Sequence, residues 1–208
     1  MSGFEVLVPV KRLTDAKQRL RPVLNSGARA GLMSEMAAQV LRAVLEARAA
    51  ASVFVVTPDP SVAALAGRLG AEALPDPGLG LNAALEQAVA LRLAAGAEAI
   101  AIVQGDLPWL DAAAVDAVLA LAAAPGEAAL APDQHRRGTS MLAWRGPPHL
   151  TRFAFGEDSF ARHGALVAAA GLTLASLTPD KAFHDVDDAG DLEGLEAIEA
   201  FVGPTQRS

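Results

Sequence analysis

Three carboxylates and one short run of cations carry most of the chemistry this chain can offer. Asp106 stands at the mouth of an apolar run, Ala99-Ile100-Ala101-Ile102-Val103, after Gln104-Gly105 and before the turn Leu107-Pro108-Trp109-Leu110. Asp185 and Asp187 alternate around Val186 in FHDVDDAGDL, and in an extended segment residues two apart share a side. Hard oxygen ligands beyond strand ends are what magnesium takes when it bridges protein to phosphate. Such carboxylates could hold the metal against a triphosphate and stabilise an in-line displacement. Helix capping is the competing reading for Asp187 and Asp188; Asp106 and Asp185 are read as metal ligands.

The cations are concentrated in VPVKRLTDAKQRLRP, which holds Lys11, Arg12, Lys17, Arg19 and Arg21 directly after a strand candidate. Ligands of open α/β sheets gather beyond the carboxyl ends of strands, so a basic loop there suits a polyphosphate; a solvated charged face is the alternative. The chain has neither the G-x-x-x-x-G-K-[ST] nor the G-x-G-x-x-G phosphate motif, and no serine nucleophile elbow. His135, His149, His163 and His184 lack zinc-site spacing and are read as surface or structural residues.

These side chains need a sheet to hold them, and the pattern supplies one. Strands are predicted over 4–10, 53–57, 71–74 and 99–103, separated by helices over 28–50, 61–69, 82–95 and 111–123. Gly70 is read as a helix stop and Asn82 as a helix cap. Beyond residue 126 the rhythm changes: strands at 127–132 and 139–144 flank the polar loop DQHRRG, then a helix at 159–170, strands at 172–177 and 183–186, and a closing helix at 188–201. The early βαβ units favour a parallel sheet. Without a repeat or a linker, one domain is expected over 1–208, with an ordered core of about 4–202.

Composition narrows the class. Of 208 residues, 52% are hydrophobic, enough for a sizeable core. No apolar run is long enough to span a bilayer, and the N-terminus lacks signal-peptide features, so a cytoplasmic protein without membrane contact is expected. Cysteine is absent, which removes disulfides and thiolate metal sites. A net charge of −7 argues against nucleic-acid partners.

The motifs VPVKRLTDAKQRL, VVTPD, GLNAAL, QGDLP, GTSML, FGEDSFARH and HDVDDAGDL, in this order over nearly the whole chain, make it similar to the small guanylyltransferases of deazaflavin coenzyme F-420 biosynthesis. The resemblance implies GMP transfer from GTP to phosphoenolpyruvate, 3-phospho-D-glycerate or 2-phospho-L-lactate. It implies a single-domain α/β nucleotidyltransferase fold related to glycosyltransferase-A, a twisted, mixed, mostly parallel sheet with helices on both sides. It also assigns residues. Asp106, Asp185 and Asp187 would hold Mg2+, with Lys17, Asp106 and Asp185 as the catalytic set. Thr139, Gly156 and Ser159 would hold the phosphorylated acid. Lys11, Lys17 and Arg19 would line the triphosphate, and Thr57, Asp59 and Asn82 would face guanine and ribose. Two departures stand out: Arg136, Arg137 and Ser140 in DQHRRGTS, expected to bear on substrate choice, and Asp188-Ala189 in place of a Thr-Pro pair.

Three other readings remain at this level: a nucleotidyltransferase for a sugar phosphate or molybdopterin, a non-catalytic nucleotide-binding domain, and a structural α/β domain without ligand. The residues allow a homodimer and do not fix one.

Overall fold

Alternating burial along the strands builds two cores, one on each face of a single sheet. In β1 (Phe4–Pro9), Phe4, Val6 and Val8 face one core and Leu7 the other. In β4 (Ala99–Val103), Ala99, Ala101 and Val103 face the first core, and Ile100 and Ile102 the second. Strands buried on both faces read as continuous apolar runs, which is why 99–103 is visible in the sequence. The structure, a computed structural model, describes residues 2–192.

The remaining strands are β2 (Ala50–Thr57), β3 (Glu72–Pro75), β5 (Glu127–Pro132), β6 (Thr139–Arg145) and β7 (Thr173–Ser176). Their order is β3-β2-β1-β4-β6-β5-β7, and β6 alone runs against the rest. The helices are α1 (Ser26–Glu46), α2 (Pro60–Leu69), α3 (Leu81–Ala94), α4 (Ala112–Ala120), α5 (Ser159–Ala169) and the short α6 (Ala189–Leu192). Buried residues of α1, α2 and α4 join the first core; those of α3 and α5 line the second. This is the expected α/β architecture, a mixed and mostly parallel sheet covered on both sides. No helix among the described residues is long and apolar enough to cross a membrane.

The local signals that ended elements hold where they are short-range. Asp111 accepts from the Ala114 N–H at the start of α4, and Gly70 closes α2 with a φ of 99°. Two expectations need correction. Asn82 does not cap α3: Gly80 occupies that position, and the Asn82 amide is drawn instead into paired hydrogen bonds with the Phe155 backbone. Residues 183–186 form no strand; a 3-10 turn at Lys181–Phe183 leads into an unpaired extended segment. Its partner is a side chain, since Ser140 Oγ donates to the Phe183 carbonyl at 2.7 Å. Most of the predicted closing helix lies outside the described residues.

Candidate active site

β1 and β4 run parallel, Val6 opposite Ala101 and Leu7 opposite Ile102, so both release the chain at the same edge of the sheet. Gly105 lets the two exits close on each other. A Cβ there would lie 2.8 Å from Val10 Cγ2 and 2.9 Å from the Pro9 carbonyl oxygen, closer than packed atoms tolerate. Asp106 is thereby held against the loop that follows β1. In that loop Lys17 takes a left-handed φ of 49° and turns its ammonium back over the strand ends. Its Nζ lies 2.5 Å from Asp106 Oδ2 and 3.0 Å from Asp187 Oδ1.

The third carboxylate arrives on the extended segment after Phe183. Val186 is fully buried and anchors it, while the Asp187 N–H donates to Asp191 Oδ2 at 2.8 Å. Asp188 takes the capping role, accepting from the N–H groups of Gly190 and Asp191. That division leaves the Asp187 side chain for the cluster. One oxygen each from Asp106, Asp185 and Asp187 lie within 4.8 Å of one another.

The electrostatics follow from this crowding. Burial first, then the neighbouring Asp106 and Asp187 charges, push the Asp185 carboxyl up to about 6. Burial works to lower Lys17, but attraction to Asp106 and Asp187 outweighs it and holds the ammonium above the ordinary lysine range. One ammonium among three carboxylates leaves an excess of negative charge on oxygen donors, which fits a hard divalent cation.

A cleft of two lobes opens beside this cluster. The first, about 360 Å³, is lined by Lys11, Lys17, Arg19, Gln104, Asp106 and Asp187 among others. The second, about 420 Å³, runs between the end of β2 and the loop before α3, with Val56, Pro58, Asp76 and Gly78 in its wall. Pro9, Lys11, Asp15 and Leu81 belong to both. Arg19 reaches Asp187 at 3.4 Å from an exposed position, an ion pair worth little in water.

Thr57, Asp59 and Asn82 do not line either lobe. Thr57 Oγ1 accepts from the Asp59 N–H. The Asp59 carboxylate accepts from the N–H groups of Leu13 and Ser61, tying the basic loop to the start of α2. Asn82 pins the segment before α5 through Phe155.

Thr139, Ser159 and His163 form a second, separate constellation. Ser159 Oγ accepts from the Thr139 N–H at 2.9 Å, and Thr139 Oγ1 meets His163 Nδ1 at 2.9 Å. His163 Nε2 accepts from the Ala154 N–H, so Nδ1 carries the proton and donates to Thr139. Both hydroxyls are thus used as acceptors, and each retains its own O–H to donate. Desolvation pulls His163 down to about 4 and keeps the ring neutral. Gly156 adopts a φ of 121°, which glycine alone takes readily. The N–H groups of Ser159 and Phe160 are spent on the carbonyls of Gly156 and Arg137, so the first turn of α5 offers less to an anion than its position suggests. Arg137 also pairs with Glu157 and Asp158 at the surface.

Two side chains take roles that the sequence does not announce. His163 was set aside as structural, and its partnership with Thr139 depends on a fold contact 24 residues away. Ser140 was expected to bear on substrate choice, but its hydroxyl holds the carboxylate-bearing segment. Asp76 stands directly after β3 as Asp106 stands beyond β4, a positional signal that was available in the sequence.

Comparison with known proteins places this geometry. Residues 4–197 match the family described as "Guanylyl transferase CofC like". A phosphoenolpyruvate guanylyltransferase of Sphaerobacter thermophilus is 42% identical over 189 residues, 91% of this chain and 90% of the relative. One from Chloroflexus aggregans is 40% identical over 93% of this chain and 97% of its own length. Among solved structures, a chain from Desulfovibrio desulfuricans G20, provisionally described as a nucleotide-diphospho-sugar transferase, superposes with a TM-score of 0.76. It is 19% identical, and the match covers 96% of this chain and 88% of that one, a likeness of fold.

Proposed function

The chain belongs to the CofC-like guanylyl transferase family, and from that premise we propose that it transfers GMP from GTP to phosphoenolpyruvate, releasing pyrophosphate, as a step of deazaflavin coenzyme F-420 biosynthesis. It is a nucleotidyltransferase, in keeping with relatives named as guanylyltransferases at about 40% identity over most of the chain. The acceptor in this proposal rests on the names of those relatives. The observation that carries the chemistry is the convergence of Asp106, Asp185 and Asp187 around Lys17 at the edge of the sheet.

In this reading the phosphate oxygen of the acid attacks the α-phosphorus of GTP. A phosphoanhydride bond forms between them, the bond from the α-phosphorus to the β-phosphate breaks, and its electron pair leaves with pyrophosphate. The attacking phosphate is already ionised, so no general base is needed, and catalysis reduces to positioning and charge stabilisation. Asp106, Asp185 and Asp187 would hold magnesium, which when bound neutralises charge on the transferring and leaving phosphates. Lys17 supplies a fixed positive charge beside the same point. Lys11 and Arg19 extend that charge along the triphosphate. Thr139 and Ser159 donate their remaining hydroxyl protons to the acid, with Gly156 giving the backbone a close approach. Thr57, Asp59 and Asn82 act in this reading by fixing the walls of the nucleotide side.

The test is pyrophosphate release with GTP and magnesium in the presence of phosphoenolpyruvate, 3-phospho-D-glycerate or 2-phospho-L-lactate. Fastest release is expected with phosphoenolpyruvate. Faster release with another of the acids would replace the acceptor, and no release with any of them would overturn the reading.

A further inference from the structure

The second lobe of the cleft has the shape and position for a nucleoside, and one side chain in it has the chemistry to read a base. The carboxylate cluster fixes where phosphorus chemistry occurs, in the first lobe. The Thr139–Ser159 pair lines neither lobe, so the proposed acid side does not claim the second. Lys11 borders both lobes, where a polyphosphate would pass from one to the other. What remains is a space of about 420 Å³ with apolar surface from Val56, Pro58 and Ala84 and a polar rim.

Resting on the guanylyl-transfer reading, we infer that Asp76 reads the Watson–Crick edge of guanine in this lobe. Asp76 is the acidic residue of the lobe's wall that does not also border the first lobe, as Asp15 does. It follows directly on β3, at the same edge of the sheet as the exit of β1. Its carboxylate is oriented before any ligand arrives: the Gly78 N–H donates to Oδ1 at 2.7 Å, with Gly78 in the left-handed region at φ 76°. An ionised carboxylate offers about four acceptor positions, and this bond uses one. Guanine presents two adjacent donors, N1–H and the N2 amine, that such a group accepts together. Adenine presents a lone pair at N1 and only a C–H at position 2, so a carboxylate placed for guanine's two donors faces the N1 lone pair and is repelled. Discrimination of this kind comes from polar groups left unpaired by the wrong ligand.

The test uses xanthine and hypoxanthine nucleotides beside GTP, read both as acid-dependent turnover and as calorimetric binding without any acid. Binding alone keeps the test meaningful if the acceptor assignment fails. The parent should prefer GTP to ITP, which lacks the N2 amine, by about 10-fold, and to XTP by more. In Asp76→Asn the amide can donate to the xanthine O2 while accepting from N1–H. GTP binding should fall about 10- to 100-fold, XTP binding should rise, and the KM for the acid should stay at the parent value. A purely structural role for the Asp76–Gly78 turn would weaken all three nucleotides alike. Equal binding of GTP and XTP by the parent, or an unchanged GTP-to-XTP ratio in a folded Asp76→Asn, would overturn the inference. If Asp76→Asn fails to fold, the parent's ITP and XTP ratios decide it alone.

Discussion

Lys17 and Asp106 meet at 2.5 Å across 89 residues of sequence, and the lysine side chain is only 4% exposed. A lysine is rarely sealed from water unless paired, and this one has two carboxylate partners. The pair joins the loops that follow β1 and β4, so one contact serves both the charge balance of the cluster and the closure of the sheet edge that Gly105 permits.

Replacing Lys17 by methionine keeps the length and removes the charge. Turnover should fall at least about 100-fold, as when a charge-stabilising donor is lost. Breaking a fully buried pair costs about 3–5 kcal/mol, but Asp106 and Asp187 retain access to water, so about 1–2 kcal/mol is expected here. Chemical unfolding without metal and a steady-state assay check the two effects. Near-parent turnover would remove Lys17 from the catalytic set.

Asp106→Asn should nearly abolish turnover and leave the fold intact. Asparagine retains one oxygen but not the charge that a hard cation requires, while Lys17 keeps Asp187 as a partner. Magnesium with GTP should raise the melting temperature of the parent more than that of the variant, because ligand bound to the folded state adds to stability. An equal shift in both proteins would show that the cation is held elsewhere.

Ser159→Ala removes the acceptor of the buried Thr139 N–H. A stability loss of about 1–3 kcal/mol is expected from the orphaned donor, together with a raised KM for the acid and an unchanged KM for GTP. Equal effects on both substrates would make Ser159 a scaffold residue alone.

His163 gives a pH dependence whose sign is fixed. Its folded value, about 4, lies below the ordinary 6.5, so in between the unfolded chain binds the proton more tightly. Its contribution is complete above about 6.5 and is lost as pH falls toward 4, by up to about 3 kcal/mol. Urea unfolding at pH 7.5 and pH 4.5 should show a smaller acid-induced loss for His163→Asn than for the parent. Identical losses would place the proton uptake at other groups.

Local chemistry made much of this legible. Continuous apolar runs gave β1 and β4, 3.6-residue spacing gave α1, and Asp111 announced α4 through its cap. Asp106 and the lysine-bearing loop were visible because a position beyond a strand end is itself a local signal, and Asp185 and Asp187 because they alternate around Val186. What escaped was side-chain partnership over distance. Nothing near Asn82 in the sequence says that its amide belongs to Phe155, nothing near Ser140 points to Phe183, and the buried link from His163 to Thr139 exists only once α5 packs beside β6. The segment at 183–186 looked like a strand because Phe183 and Val186 bracket it with apolar side chains; the structure buries both without a ladder and holds the segment by the Ser140 tether.

The reversed direction of β6 has a consequence for how this enzyme can diversify. Because β6 alone opposes its neighbours, its first residues come to the same rim where β4 ends, and Thr139 lies near the exit that carries Asp106. On the proposed reading, in which Thr139, Gly156 and Ser159 hold the acid, the turn from Asp133 to Gly138 is the piece of chain whose rewriting would alter the acid accepted. The loops after β1, β2 and β3, which serve the nucleotide in that reading, meet this side through Asn82, which holds Phe155 before α5. In that reading the fold sets most of the acceptor side and most of the donor side on different pieces of chain, so selection can act on the acceptor largely through one turn.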